Sequence, residues 1–173
     1  MTKQEVELLR KTIVELAIAE IGVKEEGGNN RGARVKQYQQ ATWMPKATIE
    51  AGFAWCAAFT AFILASSLVK TRVKGILPCK DASAFGWEKW ALKNGLLVLD
   101  ETSLAKAGDF VIFNFSHIGI VIEDQLRGET FIITCEGNTN GKGERDSVSG
   151  DGVWRKKRNT NLVKSYLRFK EAV

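Results

Sequence analysis

A chain of 173 residues, 45% hydrophobic and 26% charged, is long enough to bury one substantial core without disulfides or metals to staple it. A formal net charge of +5 favours an anionic partner such as a cell-wall polymer, nucleic acid or a membrane surface, and says nothing about fold. Three cysteines exclude complete intramolecular pairing, their spacing excludes a CxxC-type zinc cluster, and no apolar run reaches transmembrane length.

The N-terminus, MTKQEVELLRK, mixes acidic and basic residues and lacks the apolar stretch of a signal peptide. The expectation is synthesis in the cytoplasm, with any action outside the cell depending on release by another factor. Residues 3–21 place Val6, Leu9, Ile13, Leu16, Ala17 and Ile21 on one face, predicting a helix that Thr2 caps and Gly22 ends. Residues 25–32 carry the glycines and asparagines of a loop, and a short helix is predicted over 33–40. Residues 41–52, with Trp43 and Pro45, read as a surface connection.

From Trp55 to Leu68 the apolar pattern is nearly continuous and rich in alanine and phenylalanine, as in a buried helix. A connector over 71–81 with Gly75 and Pro78 precedes a helix predicted over 82–94, which Asn94-Gly95 ends. Its Phe85, Trp87, Trp90 and Ala91 supply core and rim contacts. The period then changes. DFVIFNF, HIGIVIEDQ and ETFIITCEG predict three antiparallel strands, and GVWRKKR and LVKSYLRF add two more. Between them GNTNGKGERDSVSGDG is too polar and glycine-rich for anything but an exposed loop. With no repeat and no linker, residues 1–173 form a single domain of α+β class, helices first and strands later.

His117, the only histidine, is the natural base for chemistry near neutral pH. Cys56 sits at the start of its predicted helix, where unpaired N–H groups and the helix dipole favour a thiolate and where its own N–H can serve an oxyanion hole. Gly119 allows close approach of another backbone or side chain. Glu136 and Asn138, just after FIITC, are both able to hold an imidazole in its useful tautomer. Each has an ordinary role as well: Cys56 as a small apolar residue, His117 as a surface polar group, Glu136 and Asn138 as strand-exit residues.

The segments GFAWCAAF, AGDFVIF, SHIGIVIE and CEGNTN, in that order, resemble the CHAP (cysteine, histidine-dependent amidohydrolase/peptidase) family, related to the NlpC/P60 and papain-like group. The resemblance spans roughly residues 15–160. It implies a papain-like core with the nucleophile at the head of a central helix packed on an antiparallel sheet. By the same resemblance Cys56 is the nucleophile, His117 the base, Glu136 the orienting acid and Asn138 a polar residue completing the site. The implied substrate is bacterial peptidoglycan, cut as an endopeptidase or an N-acetylmuramoyl-L-alanine amidase, as in many phage endolysins and autolysins.

Other residues carry weaker expectations. Trp55 and Trp154 are candidates to stack on sugar rings, although packing is the usual role of a large aromatic. Asn29, Asn30 and Arg34 are candidates to line the substrate cleft. Cys79 and Cys135 are poorer nucleophiles than Cys56, one in a connector and the other ending an apolar strand. No cofactor and no metal is expected: Glu144, Asp146 and Asp151 do not match a calcium-loop spacing. The run Arg155-Lys156-Lys157-Arg158 reads either as the solvent-facing part of a strand or as an attraction for anionic envelope polymers. A non-catalytic basic module binding cell wall or nucleic acid is the alternative. It leaves Cys56, His117 and Glu136 without a purpose, which makes nucleic acid the weaker partner.

Overall fold

Thr2 starts the first helix. Its hydroxyl accepts from the Glu5 N–H at 3.2 Å while the Glu5 carboxylate accepts from the Thr2 N–H at 2.8 Å, a reciprocal cap. The computed structural model describes residues 1–141 and 150–171. Helix α1 (Lys3–Ala19) buries Val6, Leu9, Ile13 and Ala17, whereas Leu16 and Ile21 are only partly covered. Short helices α2 (Ala33–Gln39) and α3 (Lys46–Ala51) precede the long α4 (Cys56–Thr71). Helix α4 is buried on most of its circumference, as its unbroken apolar run requires. Then come α5 (Gly86–Lys93) and strands β1 (Leu97–Leu99), β2 (Phe110–Phe113), β3 (His117–Val121), β4 (Phe131–Thr139), β5 (Gly152–Asn159) and β6 (Val163–Arg168).

The structure corrects three boundaries. Residues 46–51 of the expected connection are helical but bury nothing, so no apolar face announced α3. Helix α5 begins at Gly86 rather than 82, because Asp81 accepts from the Ser83 N–H at 2.8 Å and the Ser83 hydroxyl caps the Gly86 N–H at 3.1 Å. Within it Trp87 and Ala91 are buried, while Phe85 stays at the surface. No sequence pattern predicts strand β1. It is short and lies at the sheet edge, so none of its side chains is fully covered.

The strands form one open antiparallel sheet in the order β1-β6-β2-β3-β4-β5. All four side chains of β2 are buried because the sheet is covered on both faces there: Phe110 and Ile112 enter the main core against the helices, Val111 and Phe113 a smaller cluster with Val163 and Tyr166. Helix α4 packs across β3 and β4, and α1 packs on α4. Among the described residues no helix is long and apolar enough to cross a membrane.

Strand β3 pairs with β2 along its length, from Phe113↔His117 to Phe110↔Ile120. Its ladder to β4 comprises only Ile120↔Cys135 and Val121↔Thr134. The first residues of β3 therefore diverge from β4.

Candidate active site

The segment before Cys56 is held by side chains from three other parts of the chain. Buried Gln39 donates from Nε2 to the carbonyls of Asn30 (3.1 Å) and Phe53 (2.9 Å). The Trp55 N–H donates to Asn138 Oδ1 at 3.0 Å, and the indole Nε1 to Glu25 Oε1 at 2.8 Å. Gly137 brings β4 close: a methyl group there would lie 2.6 Å from Phe59 Cβ and 2.8 Å from the Trp55 ring. The first α4 turn closes with the Phe59 N–H on the Trp55 carbonyl at 2.8 Å, so the Cys56 N–H is not consumed by the helix.

His117 opens β3 directly after Ser116, whose φ of 61° turns the chain into the strand. Its ring lies almost parallel to Phe115, 5.8 Å away at 9°. Nε2 is 2.9 Å from Glu136 Oε2, and the imidazole lies beside the Cys56 thiol, close enough for each to shift the other's charge. With Nε2 on Glu136, Nδ1 is the nitrogen left for sulfur. The backbone N–H groups of Ile118 and Ala57 are near enough to favour the charged thiol. Ile118 is available because its backbone shares the β4-facing edge with Ile122, whose N–H bonds Ile133 O at 3.0 Å, and the ladder has not begun at 118.

These contacts set the charges. Burial alone would raise the Cys56 thiol, but the adjacent His117 charge and the hydrogen bonds from His117, Ile118 and Ala57 bring it below its ordinary value. Burial works against a charged His117, and Cys56 and Glu136 outweigh it, raising the imidazole. Glu136 is fully buried, yet hydrogen bonds from Arg158 and His117 hold its carboxyl well below the usual range. Cys56 (9% exposed) and His117 (8%) reach the surface; Glu136 (0%) does not. The arrangement stabilises a thiolate–imidazolium pair backed by a carboxylate.

Cys79 and Cys135 differ from Cys56. Burial pushes both thiols up, Cys79 to about 12, and Cys135 donates to Ala17 O at 3.2 Å inside the core.

Several expected site residues are elsewhere. Asn138 does not meet the imidazole: besides accepting from Trp55 it donates toward Asn30 Oδ1 at 3.2 Å, and its φ of 55° turns it off the strand direction. Trp55 has no exposed face for a sugar, because it is 0% exposed and stacked on Tyr38 at 5.5 Å. Arg34 is committed to Glu20, with Nε 2.9 Å from Oε2 and the Tyr38 hydroxyl sharing the same oxygen. Asn29 is exposed in its loop, and Asn30 serves the Gln39 and Asn138 network. Trp154 is half-buried, with Nε1 on Asp151 at 2.9 Å and Lys24 over its ring. Glu144 and Asp146 lie outside the described residues.

The basic run is split by the strand period. Arg155 and Lys157 face outward, while Lys156 and Arg158 are buried. Arg155 pairs with Glu123, Lys156 donates to Asn140 O at 2.7 Å, and Arg158 joins Glu136. The run is thus neither wholly solvent-facing nor a continuous basic patch. Arg158 enters the sequence reading only as part of the basic run; alternation in β5 is the available signal for its burial, but its partner follows only from the strand order. No family model matches the chain, and neither a curated protein nor a solved structure does.

Proposed function

We propose that this chain is a cysteine hydrolase with a papain-like core that cuts an amide bond of bacterial peptidoglycan, as an endopeptidase or an N-acetylmuramoyl-L-alanine amidase. The observation that carries the chemistry is Cys56 at the head of α4 beside the His117 imidazole, whose Nε2 lies 2.9 Å from the buried Glu136 carboxylate. The substrate class is supported by the resemblance of GFAWCAAF, SHIGIVIE and CEGNTN to CHAP domains.

In this mechanism the Cys56 thiolate attacks the amide carbonyl and forms a tetrahedral oxyanion, which the free Cys56 N–H stabilises. Imidazolium His117 passes its proton to the leaving amine as the C–N bond breaks, leaving a thioester. Water, deprotonated by the now neutral His117, hydrolyses the thioester, releasing the carboxylic acid and restoring the thiolate–imidazolium pair. Glu136 keeps the ring oriented and offsets its charge through the cycle. Every step uses protein groups and water. The place of action is the cell wall. A basic polymer-binding module has less support, because Lys156 and Arg158 of its best patch are buried.

The test is digestion of defined peptidoglycans by wild type, Cys56→Ala and His117→Ala, with fragments identified by mass spectrometry. New peptide ends from wild type alone are expected, and they name the bond. Intact peptidoglycan of several chemotypes after incubation with folded wild type would refute the assignment.

A further inference from the structure

We infer that Arg158 is a positioning residue of the Cys56 site, its guanidinium holding the Glu136 carboxylate as an anion in the orientation that His117 needs. The inference rests on the hydrolase proposal and extends it to β5, a strand that supplies none of the three reacting or orienting groups.

The geometry is specific. Arg158 Nε lies 2.9 Å from Glu136 Oε1 and 3.2 Å from Oε2, and Nη2 lies 2.5 Å from Oε2. Thr134 donates to Oε1 at 2.6 Å, while Oε2 is shared with His117 Nε2. The guanidinium, 3% exposed, sits 5.4 Å from the Phe113 ring centre and 5.6 Å from that of Phe115. Those same rings stack with His117. One aromatic pair therefore packs against both cations that bond the same carboxylate.

Charge explains why such a residue is needed. A fully buried carboxylate without a cation takes up a proton instead, and a neutral Glu136 no longer stabilises an imidazolium. With Arg158 present the signs alternate from thiolate to imidazolium to carboxylate to guanidinium, and the buried group is neutral overall. Among the described residues, the nearest other cations on β5 are directed elsewhere. Lys156, on the same face of β5, is directed to Asn140 O, and Arg155, on the other face, to Glu123. Beside Glu136 on β4 stand Thr134 and the raised thiol of Cys135; α4 contributes Cys56 and β3 contributes His117.

The pH profile of Cys56 alkylation by iodoacetamide tests this, read on the Cys56 peptide by mass spectrometry so that Cys79 and Cys135 do not contribute. Only thiolate reacts, so no substrate is required. In Arg158→Met the acid limb is expected to move up by about one pH unit or more, a roughly tenfold slower reaction on that limb. Arg158→Lys recovers part of the shift. In a Glu136→Gln background Arg158→Met adds nothing, because Arg158 acts through Glu136. Folded Arg158→Met or Arg158→Lys protein with a wild-type profile overturns the inference, as does a full further shift in the Glu136→Gln background. Should Arg158→Met not fold, Arg158→Lys and the double variant, which lacks both buried charges, carry the comparison. Unchanged alkylation in His117→Ala defeats the hydrolase proposal and this inference together. Slowed alkylation in His117→Ala with unaltered Arg158 variants defeats this inference alone.

Discussion

Gly119 and Glu136 are in direct contact across the gap between β3 and β4: a methyl group at 119 would lie 2.7 Å from Glu136 Cγ. The missing side chain is what lets the glutamate pass beneath the strand and reach the His117 ring. Gly119→Ala is therefore expected to displace the carboxylate, slow the proposed hydrolysis by about tenfold or more, and cost about 1–3 kcal/mol through overpacking. Denaturant melts and kcat/KM measure the two effects; wild-type values for both would show that the contact is dispensable.

Asn138 separates positioning of the helix head from tuning of the charges. Asn138→Gly keeps the positive φ of 55° accessible but removes the acceptor for the Trp55 N–H. The expected cost is about 1–2 kcal/mol, with a fall in kcat. The pH profile of Cys56 alkylation should stay where it is, since Asn138 bonds the chain before Cys56 rather than the imidazole. A profile displaced as in Glu136→Gln would contradict that division of roles.

The shifted groups predict opposite pH dependences. Glu136 is held below its ordinary 4.5, at about 2, so its contribution to stability is complete above 4.5 and is lost as pH falls toward 2. His117 is raised from 6.5 to about 10, so its contribution is complete below 6.5 and is lost as pH rises through 10. Activity should span the interval between the lowered Cys56 value and the raised His117 value. Thermal melts and alkylation rates across pH check this, and an onset of Cys56 reactivity at the ordinary thiol value of 9.0 would contradict the ion pair.

Arg34 should behave as a scaffold residue. It ties α2 to Glu20 at the end of α1 and covers the Phe62 ring at 4.7 Å. Because its side chain is 38% exposed, solvent screens the pair, and Arg34→Ala is expected to cost only about 1 kcal/mol. KM should be unchanged. A raised KM at unaltered stability would return Arg34 to the substrate cleft.

The choice between Glu136 and Asn138 shows where sequence reasoning stops. Two residues apart on a strand, they would share one face. The register to β5 shifts between Glu136 and Thr139, and Asn138 takes a positive φ, so only Glu136 continues toward the ring. A bulge of this kind has no reliable local signal. Trp55 fails for a related reason: an aromatic beside a nucleophile looks like a sugar platform until the ring of Tyr38, from another helix, covers it.

Local patterns located a helix within 3–21, a buried helix over 55–68, strands within 109–115, 117–125 and 129–137, and a close approach at Gly119, because periodicity and steric freedom are properties of short segments. Tertiary structure alone decided that His117 meets Cys56 and Glu136, and that Arg158 turns inward to the same carboxylate. Those contacts join residues 61, 19 and 22 positions apart. They exist because strand order, an early end to the β3–β4 ladder and the exclusion of water bring opposite charges to one buried point.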